Sequence, residues 1–356
     1  MRPGALPVVR LLLIAIASLV LSPTARAAPA KLDQLVVRMW PGPWGDSLAA
    51  TVSKAFTERT GIPVVFDPRD DGAMSTIVQS ALAQGRQPPI DVFYTLATAA
   101  IKDEARGLMD EIRPDEIPNL AFMLPRAKPA PADGKWHYIN VGIDIMTLVY
   151  RKAKFPDGPP TSLQVLFEPR FKGRTFLYVH SEGCIGPVAL ANGWRIPDDM
   201  ERIWSFLETR VKPLDPIIGG DPDLVGAFQR DEVDVAMTYP AVARDTGDGA
   251  VTWTRAREGT LGTVESVWLP RGLPEANRYW ATRFIDTLLA PEVLAAYCGR
   301  LVIPCFRQDM VLPPGAAEDP AFPKTADDMA QIATLPLEAY AAHLAEWDAR
   351  ADEILK

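Results

Sequence analysis

The sequence predicts an α/β protein made of two lobes with a cleft between them. Three observations lead to this fold class. The chain has 356 residues, which is too many for one ordinary core and suits two lobes of roughly 100–200 residues each. Strand and helix patterns alternate along most of the chain, and they do so in two separate blocks. The 48% apolar and 23% charged residues are typical of a soluble globular protein.

The first block begins with a strand and continues as alternating helices and strands. Residues 35–40 form an apolar run of the strand type, and the Pro- and Gly-rich loop 41–45 ends it. From Ser47 the apolar residues repeat with the helical period until Gly61, which closes the helix. The alternation continues through a strand at 62–66, a helix around 74–81, a strand at 91–94 and a helix around 101–105. This order predicts a parallel sheet flanked by helices.

The second block begins near residue 141 and repeats the α/β pattern. Its extended runs and amphipathic helices lie, in chain order, at 143–150, 176–179, 200–207, 225–228, 233–237, 263–269 and 279–289. Extended segments near 140–145 and 262–268 join the two blocks, and no flexible Gly/Ser-rich linker lies between them. We therefore expect a hinge of ordered strands between the lobes.

The ends of the predicted strands indicate where a ligand would bind. In open α/β sheets, ligands sit beyond the carboxyl ends of the strands. In this chain those ends lead into loops that start at Trp40, Tyr94, His180 and Tyr239. If the two blocks face each other, the four loops converge on one cleft.

The N-terminus has the pattern of an export signal. Arg2 and Arg10 supply a basic start, residues 11–21 are an uncharged apolar run, and Ala25-Arg26-Ala27 offers the small-x-small pattern of a cleavage site. This apolar run is too short to span a bilayer, which takes roughly 20 residues. We expect residues 1–27 to be a cleavable signal peptide that directs the chain to the periplasm, with an uncleaved anchor as the alternative.

Charge and cysteine content bear on partners and compartment. The formal net charge is −8, and removal of residues 1–27, with three arginines and no acids, makes it −11. Nucleic acid is therefore excluded as a partner, because phosphate binding needs a basic face. An oxidising compartment permits a disulfide between Cys298 and Cys305, with Cys184 outside it. The sequence leaves open whether this bridge forms.

Short fragments in a fixed order carry a resemblance to a known family. They are the Trp40 loop with its following helix and Thr60-Gly61-Ile62-Pro63-Val64, then Asp91-Val92-Phe93-Tyr94, Gly107-Leu108-Met109, Pro160-Thr161-Ser162, Pro169-Arg170-Phe171-Lys172-Gly173, Glu232-Val233-Asp234-Val235-Ala236-Met237 and Phe284-Ile285-Asp286. Over its whole mature length the chain resembles the periplasmic spermidine/putrescine-type solute-binding proteins of ABC transporters. The wider superfamily includes binders of ferric ion, thiamine and maltose.

The resemblance implies a type II periplasmic-binding-protein fold whose chain crosses twice between the lobes. Lobe 1 would hold residues 28–140 and 266–303, and lobe 2 would hold residues 141–265 and 304–356. It also implies closure around a small-molecule ligand, with an ABC permease and ATPase as partners. We expect a monomer without cofactor, bound metal or enzymatic activity, which binds a small cationic solute such as a polyamine, an amine or an amino-acid-like compound.

Five positions are candidates for a site that recognises an amine. Such a site needs carboxylates for the ammonium groups and aromatic faces for the carbon chain. Trp40 and Tyr239 match the family's aromatic positions, and Glu265 matches its amine-binding carboxylate with Glu in place of the usual Asp. Trp44 could be a lid over the cleft or could pack on its own loop. Thr95 could donate a hydrogen bond to the ligand or cap the next helix.

The loop at residues 180–184 departs from the family pattern. Of the family's paired acids, only Glu182 stands near the expected place. A site with one or two carboxylates suits a monoamine, a diamine or an amino-acid-like compound better than a long polyamine. His180 could instead bind an anionic group, together with the N-terminus of the next helix. The ligand would then be zwitterionic or anionic.

Three further functions remain as alternatives. Ferric-ion binders of this superfamily resemble a site with an adjacent tyrosine pair, which this sequence lacks. An exported hydrolase would draw on His180, Ser181 and Cys184, but the chain has neither a Gly-x-Ser-x-Gly elbow nor a His-Glu-x-x-His helix. A sensory protein with the same fold cannot be separated from a transport protein by sequence.

Overall fold

The structure is a computed structural model that describes residues 28–128, 134–178, 181–247, 249–309, 311, 315, 318–319, 322–323 and 332–356. The side chains of Ser181 and Glu182 are outside this description. The predicted signal peptide and His180 also lie outside the described residues.

The described residues contain ten β-strands. They are β1 Leu35–Arg38, β2 Val64–Asp67, β3 Val92–Leu96, β4 Tyr138–Arg151, β5 Thr175–Tyr178, β6 Ile217–Gly219, β7 Val235–Thr238, β8 Val251–Thr254, β9 Thr260–Trp268 and β10 Ile332–Thr334. They form one sheet in the order β2-β1-β3-β9-β4-β7-β5-β6, with β10 beside β9 and β8 beside β4.

Strands β4 and β9 join two halves of this sheet. Residues 138–146 of β4 pair with β9, and residues 147–151 pair with β7 and β8. On its other side β9 pairs with β3, while β1–β2–β3 and β6–β5–β7 are the parallel parts of the two halves. The predicted two-lobed α/β fold with ordered strands between the lobes is confirmed. The exact lobe boundaries stay a prediction.

Helices cover both halves of the sheet. Those in the described residues are α1 Pro43–Leu48, α2 Lys54–Thr60, α3 Asp71–Ala83, α4 Ala97–Ala105, α5 Ser181–Asn192, α6 Met200–Phe206, α7 Asp221–Gln229, α8 Pro240–Asp245, α9 Glu275–Leu288, α10 Pro291–Leu301 and α11 Leu337–Leu355. π-helical turns follow α1 and α6 at Ala49–Ser53 and Leu207–Val211. No helix of the described residues has the length and apolar character needed to cross a membrane.

The first helix begins earlier than the sequence pattern predicts. The predicted loop 41–45 is shortened because α1 starts at Pro43, a residue whose fixed backbone angle suits the first helical turn. Trp44 therefore lies in the first turn of a helix and is buried, instead of forming a lid in a loop. As predicted, the helix ends at Gly61, which has a φ of 76° in the left-handed region.

Helix α5 begins directly after His180, where a helix N-terminus was considered, but no apolar period marks its extent and Gly183, Gly186 and Pro187 are all unfavourable inside a helix. The glycines allow a close approach to the sheet. A Cβ atom at Gly186 would lie 2.4 Å from a Cδ atom of Leu261 on β9. Close packing against the sheet thus outweighs the low helix propensity.

One disulfide joins the last turns of α10 to the segment that follows. Cys298 and Cys305 are bonded, with their Cα atoms 6.2 Å apart, so the bridge that the sequence left open is formed. Cys184 is buried in α5.

Candidate functional site

Two acidic side chains project from the strands that join the two halves of the sheet. In the β4–β9 ladder, Asp144 is paired with Thr263 and Gly142 is paired with Glu265. Asp144 and Glu265 are therefore diagonal neighbours on the same face of the sheet. Glu265 is 0% exposed and Asp144 is 2% exposed. We call Asp144 and Glu265 the acid pair.

Hydrogen-bond donors from three other elements surround the acid pair. Glu265 accepts hydrogen bonds from the hydroxyl of Tyr94 on β3 and from that of Tyr297 on α10, the latter at 3.2–3.3 Å. The Oδ2 atom of Asp144 accepts a hydrogen bond of 3.0 Å from the indole Nε1 of Trp44. Among the described residues, no N–H or hydroxyl group donates to its buried Oδ1 atom, which leaves the carboxyl group of Glu265 as its partner.

Burial makes it unfavourable for both acids to be charged. It raises the pKa of Asp144 well above the usual range, and the neighbouring charge of Glu265 raises it further. Burial also raises the pKa of Glu265, but hydrogen bonds from Asp144 and Tyr94 partly offset that effect. Two carboxyl groups in contact rarely ionise together. The contact therefore favours a proton on Asp144, the acid with fewer hydrogen-bond donors, over ionisation of both groups.

Aromatic rings from both halves of the sheet close over this region. The ring of Trp44, which follows β1, meets that of Tyr239, which follows β7, edge to face at 4.6 Å between centroids. Tyr239 in turn meets Tyr178 at 6.0 Å. On the other side, Trp40 packs edge to face against Tyr94 at 5.9 Å. The acid pair is thus bordered by aromatic side chains that approach from different elements.

A third acid lies at the start of α7. The Oδ1 atom of Asp221 accepts a hydrogen bond of 2.7 Å from the hydroxyl of Tyr178. Part of Asp221 remains exposed, but it lies deep enough that burial raises its pKa to about 6. The loop after β1 touches this helix, since a Cβ atom at Gly42 would lie 3.4 Å from Cγ of Pro222.

A separate ionic network supports the aromatic side of the site. The guanidinium of Arg38 is ion-paired with Asp71 and lies 5.0 Å from the centre of the Trp40 ring. It also donates a hydrogen bond of 2.8 Å to the backbone carbonyl of Tyr94. Thr95 donates its hydroxyl to Asp71 at 2.6 Å, so it belongs to this network. Arg38 therefore positions Trp40, and Asp71 balances its charge.

No basic side chain of the described residues forms an ion pair with Asp144, Glu265 or Asp221. A buried carboxylate without a cation is costly, and sites that bind ligands are places where such groups occur. The arrangement can accept a cation of small size whose carbon skeleton contacts aromatic rings.

The structure brings four of the predicted residues together. Trp40, Trp44, Tyr239 and Glu265 border one region, and the hydroxyl of Thr95 is used by Asp71 instead. Whether these residues bind a ligand stays a prediction. For Glu182 only the backbone is described, and His180 is outside the described residues.

Sequence reasoning missed several residues of this candidate site, namely Asp144, Asp221, Tyr178 and Tyr297. It placed Tyr94 at the end of a strand and the start of a loop but not among the site residues. Asp144 had a usable signal, because it is the single acid in the long apolar run that forms β4, and acids are seldom buried there without a reason. Asp221 and Tyr297 had no comparable signal.

The alternative functions gain no support from these side chains. Among the described residues there is no cluster of three His, Cys, Asp or Glu side chains that could hold a metal ion. Burial raises the pKa of Tyr94 and Tyr297 well above 10, which disfavours the phenolate form that iron(III) binds. Burial also raises the pKa of Cys184 to about 12, so its thiol is a poor nucleophile.

Comparison with known proteins gives a family and a fold. The family of bacterial extracellular solute-binding proteins matches residues 51–324, and no curated protein matches the sequence. The fold is similar to that of AgtB from A. tumefaciens R10 in complex with agropinic acid, with 19% identity, a TM-score of 0.73 and coverage of 90% of this chain and 98% of that one.

Two further solved structures are similar over comparable lengths. The Atu4243-GABA receptor has 19% identity and a TM-score of 0.71, with 91% of this chain and 98% of that chain covered. The spermidine/putrescine ABC transporter substrate-binding protein PotD from Streptococcus pneumoniae has 17% identity and a TM-score of 0.67, with 91% and 99% covered.

Proposed function

The chain belongs to the bacterial extracellular solute-binding proteins, and we propose that it captures a small organic solute with a protonated amine for an ABC importer. The observation that carries this proposal is the acid pair, which is buried among aromatic rings without a basic partner in the described residues. An ammonium group would supply the missing positive charge and hydrogen-bond donors.

The aromatic rings support the same class of ligand. An ammonium group over a Trp or Tyr ring gains roughly 0.5–2 kcal/mol, and the methylene groups of the solute would be buried against Trp44 and Tyr239. Among the structural neighbours, one is named for GABA and another for spermidine and putrescine, and both names describe amines. We also propose that the N-terminal signal exports the chain to the periplasm. Mass spectrometry of the secreted chain tests this, and the expected mass is that of a chain cleaved after Ala27.

Thermal-shift measurements with matched ligands test the amine. We expect stabilisation by putrescine, spermidine or γ-aminobutyrate, and none by butyrate, which has the carbon chain and carboxylate of γ-aminobutyrate without the amine. Stabilisation by anions alone would contradict the proposal and favour an anionic ligand.

A variant pair tests the location. Glu265→Gln keeps the size of the side chain and removes its charge, and we expect the affinity for the amine to fall by about ten- to a hundredfold, as for loss of a charged hydrogen bond. Glu58→Gln is the control, because the side chain of Glu58 is 65% exposed. Equal amine affinities of the two variants would show that the amine does not bind at the acid pair. Uptake of labelled amine by cells with and without the chain tests delivery to an importer.

A further inference from the structure

We propose that the bound amine replaces a proton of the acid pair, so that capture of one ammonium group releases one proton to solvent. This inference rests on the proposed function and adds a regulation to the same site. In the free protein, one acid of the pair is neutral and donates a hydrogen bond to the other. In the complex, both are carboxylates and the ammonium group donates to them.

The geometry of the acid pair sets the stoichiometry. The β4–β9 register holds Asp144 and Glu265 on one face as diagonal neighbours, and neither side chain is more than 2% exposed. Asp144 Oδ1 receives no N–H or other hydroxyl donor from the described residues, so a proton shared with Glu265 would satisfy it in the free protein. A ligand N–H can take the place of that proton.

The exchange also keeps the buried charge constant. Before binding, the pair carries one negative charge in total. After binding, two carboxylates and one ammonium group again sum to one negative charge. Binding without proton release would place a cation against a neutral acid and one carboxylate, which uses only half of the available attraction.

Several described titratable groups surround the pair and must be distinguished from it. Those facing the pair are Tyr94 from β3, Tyr297 from α10, Trp44 from α1, Tyr239 before α8, and Tyr178 with Asp221 from β5 and α7. Burial keeps the pKa of Tyr94, Tyr178 and Tyr297 well above 10. Asp221, whose pKa burial raises to about 6, is the group among these described residues that titrates below pH 8.

The pH dependence follows from these groups. A site that must lose a proton in order to bind has an apparent affinity that rises with pH by up to tenfold for each pH unit, until the free pair is itself ionised. At pH 8 Asp221 is already charged in the free protein and an alkylamine is still protonated. Proton release at pH 8 is therefore assigned to the acid pair ahead of Asp221, and the Asp144→Asn variant tests this assignment.

Titration calorimetry in two buffers measures the released protons. Putrescine and γ-aminobutyrate are titrated into the full secreted protein at pH 8 in phosphate and in Tris, and the difference in observed heat gives the protons released per amine bound. We expect close to one proton for the wild type. We expect almost none for Asp144→Asn, whose amide donates to Glu265 permanently, and a nearly constant affinity for this variant between pH 7 and 8.5.

The outcomes separate this inference from the proposed function. Amine binding without proton release by the wild type would overturn the inference and leave the function standing, whereas failure of both amines to bind would overturn both. Proton release that persists in Asp144→Asn would show that the pair is not its source. Infrared spectroscopy gives an independent test. The free wild type should show the C=O band of a protonated carboxyl group, and this band should be lost on addition of putrescine.

Discussion

Asp221 offers a prediction in which removal of a charge stabilises the free protein. The substitution Asp221→Asn keeps the side-chain oxygen that accepts the hydrogen bond from Tyr178 and removes the ionisable group. Burial raises the pKa of Asp221 from 3.8 to about 6, so the folded protein favours the neutral acid more than the unfolded chain does. At pH values above both pKa values, the charged form destabilises the fold.

The expected change in the free energy of unfolding follows from this shift in the pKa of Asp221. At 1.36 kcal/mol for each pKa unit, the rise from 3.8 to about 6 corresponds to about 3 kcal/mol at pH 8. Two effects reduce it: part of Asp221 is exposed to solvent, and a negative charge at the start of α7 is favourable for the helix. We therefore expect Asp221→Asn to raise the free energy of unfolding by about 1–3 kcal/mol at pH 8.

The pH dependence of the stability gain shows whether it comes from the ionisation of Asp221. The gain should shrink as the pH falls from about 6 towards 4 and should vanish below 3.8, where the wild-type acid is neutral in both states. Urea denaturation of wild type and variant at pH 8, 6 and 4 measures it, with the exposed Asp157→Asn as control. A variant that is less stable at pH 8, or a gain that is equal at pH 8 and pH 4, would refute the reasoning.

Three further predictions concern the site and the scaffold. Trp44→Phe removes the indole donor to the acid pair but keeps an aromatic ring, and titration calorimetry should show roughly tenfold weaker amine binding; unchanged affinity would mean that the indole hydrogen bond is unimportant. A double Ala variant of Cys298 and Cys305 lacks the disulfide, and its free energy of unfolding should be lower by about 2.5 kcal/mol, because the bridge closes a short loop in the unfolded chain. Reductant should lower the stability of the wild type but not that of this variant. Gly186→Ala should destabilise by about 1–3 kcal/mol, because its Cβ atom would lie 2.4 Å from a leucine methyl group of β9. The control Gly72→Ala, in a helix with no atom closer than 3.5 Å to the added Cβ, should be neutral or stabilising, and equal losses would contradict the packing argument.

The fold was largely predictable because its signals are local. Alternation of apolar periods marks β1 through α4, and Gly61 ends the second helix as predicted. The extent of helix α5 was not predictable, since Gly183 and Gly186 reflect contacts with Tyr178 and Leu261, which are not adjacent to them in sequence.

The site was predictable only where a residue follows a strand end or matches a family position. Trp40, Tyr239 and Glu265 were predicted as candidates in that way. Tyr297 lies in the middle of α10 on an apolar face, where a tyrosine gives no sign that its hydroxyl meets Glu265. In the sequence, Asp221 is indistinguishable from the acids that commonly occur in the first turn of a helix. Both acquire a role only through long-range packing, which one sequence does not display.

The site divides into a part fixed by the sheet and a part made by the approach of separate elements. Backbone hydrogen bonds between β4 and β9 fix the spacing of Asp144 and Glu265. No strand ladder fixes the spacing of Trp44 and Tyr239, which come from opposite halves of the sheet and meet through their rings. Movement of one half against the other would therefore separate the aromatic rings before it disturbs the acid pair. If the site binds an amine as proposed, its charge would be met by side chains that a strand ladder holds in place, and its carbon chain by rings that no strand ladder holds together.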